Sequence, residues 1–183
     1  GRAGDPEGAA IGSTVRGDID DPGSDQRRPG RISLMGDLRA AIDGDALELW
    51  FRTERSLCDG RIGAAEALVR WQRPGHGRVP PGQFIGVAEE TGNVRRVTRW
   101  VLARGIAQAA QLHREGREMK VWLNLSAHDI GDTGLPERVA ELLARHELPP
   151  SAIALEVTES AVIGEPEVAL DVLRRFADMG IDV

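Results

Sequence analysis

The sequence lacks most of the features that mark a secreted, membrane-spanning or duplex-binding protein. Its single cysteine, Cys58, excludes an internal disulfide and fits a reducing compartment, which predicts a cytoplasmic location. No apolar run approaches the roughly 20 residues that a helix needs to cross a bilayer. No secretory signal is visible. The chain begins with Gly1 rather than methionine, so we expect it to be part of a longer protein.

Basic charge is also scarce. The 23 lysines and arginines stand against 29 acidic residues, which gives a net charge of −6. Non-specific binding of duplex nucleic acid needs a basic surface, so we exclude duplex nucleic acid as a partner. A small phosphate ligand stays compatible with this charge, because a few arginines and a metal ion can bind it locally.

What is present is enough apolar sequence for one soluble domain. Hydrophobic residues make up 41% of the 183 residues. Residues 1–31 are rich in Gly, Asp, Arg and Pro and have no periodic apolar pattern, so we predict a disordered tail or interdomain linker there. A functional acidic arm is the alternative. The folded domain is predicted to span residues 32–183.

Apolar periodicity in the domain alternates between strands and helices. After a first helix, a strand and a second apolar run flank an Asp-Gly turn, which is typical of a β-hairpin. Residues 94–116 have helical periodicity, and Asn93 is placed to cap that helix. Strands, helices and the start of a further strand at Ile181 follow in turn. This order predicts an α/β fold with a parallel sheet after the hairpin.

The second run of the hairpin, residues 62–71, admits two interpretations. Glu66 and Arg70 lie four residues apart, so they can form an ion pair on a surface helix. In a strand, Glu66, Leu68 and Arg70 share one face instead. The hairpin signal favours the strand, and a buried strand that carries Glu and Arg needs a functional reason.

Two later strands carry comparable polar residues. Asn124 in "VWLNLS" and Glu156 in "AIALEVTE" lie near the carboxyl ends of their strands. Ligands of α/β sheets and barrels bind at those ends, so Glu66, Asn124 and Glu156 are expected to converge. Their oxygens suit Mg²⁺ or Mn²⁺ better than zinc, and Arg70 suits a phosphate. The alternative is that each is a structural residue bonded to loop backbone. The four tryptophans are expected in the core.

At this point the sequence resembles a known family. "EALVR" at residues 66–70 is similar to the signature of the EAL domain, the cyclic di-GMP phosphodiesterase module of bacteria. "VPPGQFIGVAEETG", "LNLS" and "LEVTES" follow in the order in which similar motifs occur in that family. The resemblance covers about residues 33–183.

The resemblance implies part of a TIM-type (β/α)₈ barrel with an antiparallel first strand. It implies hydrolysis of cyclic di-GMP to linear pGpG with Mg²⁺ or Mn²⁺. By motif match, Glu66, Asn124 and Glu156 resemble the metal ligands, with Glu66 as the catalytic residue. Leu68 and Arg70 resemble substrate contacts. Candidate partners are a second copy in a homodimer and an upstream sensor or cyclase domain in the parent protein.

Two departures from the family pattern lead to further expectations. Arg52-Thr53 stands where the family usually carries Gln-Pro, at the end of the first strand. We therefore expect the ligand contacts at that strand end to differ from the family pattern. The family's paired aspartates, lysine and further glutamate would follow Val183, and such a barrel needs about 250 residues. We therefore expect these 183 residues alone to hydrolyse cyclic di-GMP poorly. The alternatives are a catalytically inactive EAL-like module that binds cyclic di-GMP or a protein partner, and an unrelated α/β domain.

Overall fold

The computed structural model describes residues 24–55, 60, 62–157 and 166–183, and all structural statements concern those residues. The helices are α1 Ser24–Asp43, α2 Pro81–Glu90, α3 Val94–Arg114, α4 Ala127–Ile130, α5 Leu135–Arg145 and α6 Pro166–Asp178. The strands are β1 Leu47–Arg55, β2 Ile62–Arg73, β3 Gly77–Val79, β4 Lys120–Leu125 and β5 Ile153–Val157. A 3₁₀ turn, Pro150–Ala152, precedes β5.

One sheet contains all five strands. Its order is β1-β2-β4-β5, and β3 pairs with β2 outside that path. β1 and β2 are antiparallel, whereas β2–β4 and β4–β5 are parallel. A parallel bridge from Ala154 to Asp182 begins the next pairing, in which the Leu155 amide donates to the Asp182 carbonyl at 2.8 Å. The predicted hairpin, parallel sheet and strand start at the C-terminal side are confirmed.

The two faces of the sheet differ in chemistry. One face is apolar and packs against helices, as shown by the fully buried Val121, Leu123 and Leu155. Alternation places Glu66, Asn124 and Glu156 on the opposite face. The sheet therefore separates the hydrophobic core from the residues with candidate functions.

The core lies between the sheet and its covering helices. Helix α3 crosses close to β4, because a Cβ atom built at Gly105 would lie only 2.4 Å from a methyl carbon of Leu123. Beside it, Trp71 of β2 meets Phe84 of α2 edge-to-face, with ring centroids 5.7 Å apart. Both rings are fully buried, which fixes α2 against the end of β2.

Three details differ from the sequence predictions. Helix α1 begins at Ser24, so it takes in residues 24–31, which the sequence assigns to the tail, while residues 1–23 lie outside the described residues. The breakers Pro29 and Gly30 favour a loop, but such propensities are weak against context. Residues 73–83 are rich in Pro and Gly, which predicts a loop, but strand β3 lies within them and pairs with β2.

The third detail is the start of α3. Asn93 occupies the predicted capping position, but its side chain makes no capping hydrogen bond. Its amide oxygen instead accepts from Arg39 Nε at 3.0 Å, and its amide nitrogen donates to the Thr91 carbonyl at 3.1 Å. Asn93 therefore links α1 to the turn before α3 rather than capping the helix.

Among the helices in the described ranges, none combines the length and the apolar character needed to cross a bilayer. The Asp59-Gly60 turn of the hairpin falls largely outside the described residues, because residues 56–59 and 61 are not among them.

Candidate functional site

Glu66 is a buried carboxylate in the middle of β2. Only 8% of its surface is exposed, although it lies on the polar face of the sheet. Its Oε1 accepts from Asn124 Nδ2 at 3.2 Å, and its Oε2 accepts from Arg52 Nη2. Both carboxylate oxygens thus have partners from neighbouring strands, which is what burial of a charged group requires.

The strand register explains why Asn124 and Glu156 lie near each other. Asn124 of β4 and Glu156 of β5 are direct partners in the parallel pairing, at the carboxyl ends of both strands. Glu66 pairs with Trp122, two residues before Asn124 on the same face. The structure brings Glu66 and Asn124 into contact and places Glu156 beside Asn124, with both Asn124 and Glu156 exposed.

Leu68 and Arg70 lie farther along β2, where it diverges from β4. They line a cavity of about 260 Å³ together with Asn124 and Ser126 at the end of β4. The remaining walls come from α2 and α3 and are largely apolar; they include Pro81, Ile85, Val94, Val97 and Val101. Two polar residues of these helices, Glu89 and Thr98, also line it. A mostly apolar cavity with a few polar groups is the usual form of a small-ligand site.

Arg70 is held by backbone and aromatic contacts at the rim of this cavity. Its Nη1 donates to the Val69 carbonyl at 2.9 Å, and its guanidinium lies 5.8 Å from the ring centre of Trp50. A second guanidinium, from Arg78, lies 4.8 Å from the same ring. A guanidinium has five N–H donors, so Arg70 retains donors that can bind a phosphate.

Trp50 corrects one expectation from the sequence. It is 44% exposed on the polar face of β1, whereas Trp71 is fully buried as predicted. Trp50 pairs across the hairpin with Leu68, and its indole N–H donates to Glu48 Oε2 at 2.8 Å. Alternation along β1 contains this signal, because Leu47, Leu49 and Phe51 occupy the buried face and leave Trp50 on the other.

The donor set fits a hard divalent cation in its chemistry. Glu66 and Glu156 offer carboxylate oxygens and Asn124 an amide oxygen, as Mg²⁺ and Mn²⁺ prefer. Within the described ranges, no three His, Cys, Asp or Glu side chains form a metal-binding group, so the amide oxygen of Asn124 would have to complete the set. The Asn124 amide would then turn, because it presently directs nitrogen at Glu66.

The sequence identifies Arg52 only as a departure from the family pattern and does not predict its contact with Glu66. It is the cross-strand partner of Glu66 and forms an ion pair with it. Alternation along β1 places Arg52 on the polar face, but its position opposite Glu66 depends on the hairpin register. The register follows from the geometry of the connecting turn, which the sequence does not define.

Comparisons with known proteins identify the family of the chain. The family model described as "EAL domain" matches residues 35–183. The bifunctional diguanylate cyclase/cyclic di-GMP phosphodiesterase MucR of Pseudomonas aeruginosa is 34% identical over 155 residues, which cover 84% of this chain and 22% of MucR. The cyclic di-GMP phosphodiesterase PdeR of Escherichia coli is 32% identical over 162 residues, which cover 88% of this chain and 24% of PdeR.

A solved structure is similar in both fold and sequence. The PaMucR phosphodiesterase in complex with c-di-GMP superposes with a TM-score of 0.77 at 35% identity, and the match covers 81% of this chain and 61% of that one. The chain thus spans about a quarter or less of the length of these curated relatives. The expected architecture, part of a TIM-type barrel with an antiparallel first strand, is confirmed. The chain belongs to the EAL domain family.

Proposed function

We propose that this chain is part of a phosphodiesterase that hydrolyses cyclic di-GMP to linear pGpG with Mg²⁺ or Mn²⁺. The observation that carries the proposal is the contact between Glu66 and Asn124, since Asn124 also lines the cavity that Leu68 and Arg70 line. A metal-capable group and a phosphate-capable group then lie on one face of the same strand, β2. Named relatives with this activity support the choice of substrate. Residues 32–183 are proposed as the N-terminal part of the EAL domain.

The chemistry is the addition of water to one phosphodiester of the cyclic dinucleotide. One P–O bond breaks, the water oxygen bonds to phosphorus, and a proton goes to the leaving ribose oxygen. Mg²⁺ or Mn²⁺, when bound by Glu66, Asn124 and Glu156, would lower the pKa of bound water and stabilise the developing charge. Glu66 is proposed as the catalytic residue because it is the buried ligand of that set.

Substrate orientation is assigned to the other residues of the same face. Arg70 would bind a phosphate through the donors that the Val69 carbonyl does not use. Leu68, half-buried at the cavity, would contact an apolar surface of the nucleotide. The groups that hold the phosphate are therefore on β2, and the groups that hold the metal span β2, β4 and β5.

The product and the metal requirement provide the test. The full gene product that contains this sequence is incubated with cyclic di-GMP in the presence of either Mn²⁺ or EDTA. The products are separated and identified by mass spectrometry. We expect pGpG with Mn²⁺ and unchanged substrate with EDTA. Equal turnover in EDTA would contradict the metal requirement. A product other than pGpG would contradict the proposed reaction.

One observation favours a second function, a catalytically inactive module that binds cyclic di-GMP. Arg52 already neutralises Glu66 in this structure, so the carboxylate is satisfied by residues of the chain itself. Binding of cyclic di-GMP with no product in any divalent metal would support this second function over the first.

A further inference from the structure

Arg52 and Glu66 form an ion pair across the hairpin at the centre of the polar face. The register places the two residues directly opposite each other, and Arg52 Nη2 donates to Glu66 Oε2. The two side chains differ sharply in exposure, at 68% for Arg52 and 11% for Glu66. The arginine therefore reaches from solvent to a carboxylate that is itself nearly enclosed.

This contact uses a carboxylate oxygen that a metal ion bound to Glu66 would need. Glu66 uses Oε2 for Arg52 and Oε1 for Asn124, so both of its oxygens have donors. A divalent cation bound to Glu66 would lie close to the guanidinium, and like charges repel. The ion and the guanidinium therefore weaken each other's binding to Glu66.

The exposure of Arg52 makes the exchange feasible. Its long side chain can turn into solvent at little cost to the guanidinium, because most of its surface is already hydrated. A divalent cation would then neutralise the buried Glu66 carboxylate in its place. Because Glu66 is nearly enclosed, removing the Arg52 charge is expected to lower folding stability as well. Stability is therefore measured separately from ligand binding in each variant.

We propose that Arg52 is a built-in counter-charge that competes with a divalent cation for Glu66 and so sets the metal affinity of the site. This inference rests on the proposed role of Glu66 as a metal ligand. It makes Arg52 an affinity-determining residue that ties activity to the concentration of free divalent metal. It also accounts for both candidate functions, because at low metal the same face presents a neutralised Glu66.

The test is Mn²⁺ binding to the metal-free protein, measured by titration calorimetry near neutral pH. Arg52→Gln keeps a polar, though shorter, side chain and removes the charge. We expect it to bind Mn²⁺ about three- to fivefold more tightly than the wild type, the upper part of the range for losing one solvent-exposed competing charge. Arg52→Lys keeps the charge and is expected to stay within about twofold of the wild type.

The matched control is Arg55→Gln. Arg55 lies on the same strand and is exposed, but its Nη1 donates to the Gly60 carbonyl at 2.9 Å rather than to Glu66. Removing this charge changes the net charge of the protein by the same amount. The control therefore separates the effect of the contact with Glu66 from the effect of the altered net charge. We expect Arg55→Gln to leave Mn²⁺ affinity unchanged. Circular dichroism of each variant checks that the fold is retained.

Glu66→Gln separates the inference from the function on which it rests. If Glu66→Gln abolishes Mn²⁺ binding while Arg52→Gln binds no more tightly than the wild type, the counter-charge role is wrong and the metal site stands. If Glu66→Gln binds Mn²⁺ like the wild type, the metal role of Glu66 is wrong, and the inference is wrong with it. Equal tightening in Arg52→Gln and Arg55→Gln would also overturn the inference.

Discussion

Asp129 shows at the scale of one residue how the end of β4 is held. It is a carboxylate with only 2% exposure, in the short helix that follows β4. Its Oδ2 accepts from Thr98 Oγ1 at 2.7 Å, from the Ser126 amide at 2.9 Å and from Ser126 Oγ at 2.5 Å. These bonds join α3 to the segment directly after Asn124, so they fix the place where that site residue leaves the sheet.

Replacing Asp129 is therefore expected to destabilise the fold. Asp129→Ala leaves the donors of Thr98 and Ser126 buried without their acceptor, which should lower the free energy of unfolding by about 2–3 kcal/mol. Thr98→Val removes one donor and keeps the shape, so we expect a loss of about 1 kcal/mol. Urea denaturation measures both values. A midpoint for Asp129→Ala equal to that of the wild type would contradict the structural role.

Trp50 gives a residue-scale prediction for ligand binding. Its ring lies under Arg70 and Arg78, so Trp50→Leu removes the surface that orients the proposed phosphate-binding guanidinium. We expect cyclic di-GMP to bind about threefold more weakly in calorimetry, the value of an exposed cation–π contact.

Trp100→Leu is the matched control for Trp50. The Trp100 ring has a guanidinium, that of Arg104, at a comparable 5.9 Å, but it lies on α3 and contacts Arg104 rather than Arg70. We expect its affinity for cyclic di-GMP to equal that of the wild type. The same weakening in both variants would mean that Trp50 acts only through general stability.

Strand alternation determines which site residues the sequence can predict. Alternation correctly places Glu66 and Arg70 on one face. A buried carboxylate such as Glu66 on that face indicates a functional role. Exposure and cross-strand partners are different, because they depend on register. For that reason the contact of Arg52 with Glu66 becomes visible only in the structure.

Helix α3 and strand β4 show how closely the elements pack. Gly105 of α3 faces Leu123 of β4, and Leu123 has no exposed surface into which it could move. Gly105→Ala should therefore overpack this contact and lower the free energy of unfolding by about 1–3 kcal/mol. Denaturant midpoints provide the measurement.

Gly86→Ala is the control at the same scale. Gly86 also lies in a helix, α2, but no atom lies within 4 Å of a Cβ built there. Alanine is the better helix former by about 0.5–1 kcal/mol, so we expect Gly86→Ala to be neutral or stabilising. A similar loss of stability in both variants would show that helix propensity or backbone strain, not the contact with Leu123, controls the result.

Element prediction from the sequence succeeds where apolar periodicity is long. Residues 94–114 and 135–145 repeat apolar residues over several turns, and both form the expected helices. Strand β3 and helix α4 have three and four residues, too few to carry a periodic signal. They form because tertiary contacts hold them: β3 through its pairing with β2, and α4 through Asp129.

For the whole molecule, the alternation of strands and helices predicts the fold class but not the order of the sheet. The order β1-β2-β4-β5 places the candidate residues of three parallel strands side by side, which no single segment encodes. This shared face is what joins a buried carboxylate, an amide and a phosphate-capable arginine into one site. The central claim is that Glu66 is the catalytic metal ligand of that site.

Turnover of cyclic di-GMP by Glu66→Gln tests that claim most directly. The measurement is the rate of pGpG formation by the full gene product in saturating Mn²⁺, with Glu54→Gln as a control that removes an exposed carboxylate from β1. We predict that Glu66→Gln lowers the rate by at least about a hundredfold and that Glu54→Gln leaves it unchanged. Wild-type turnover in Glu66→Gln would contradict the claim.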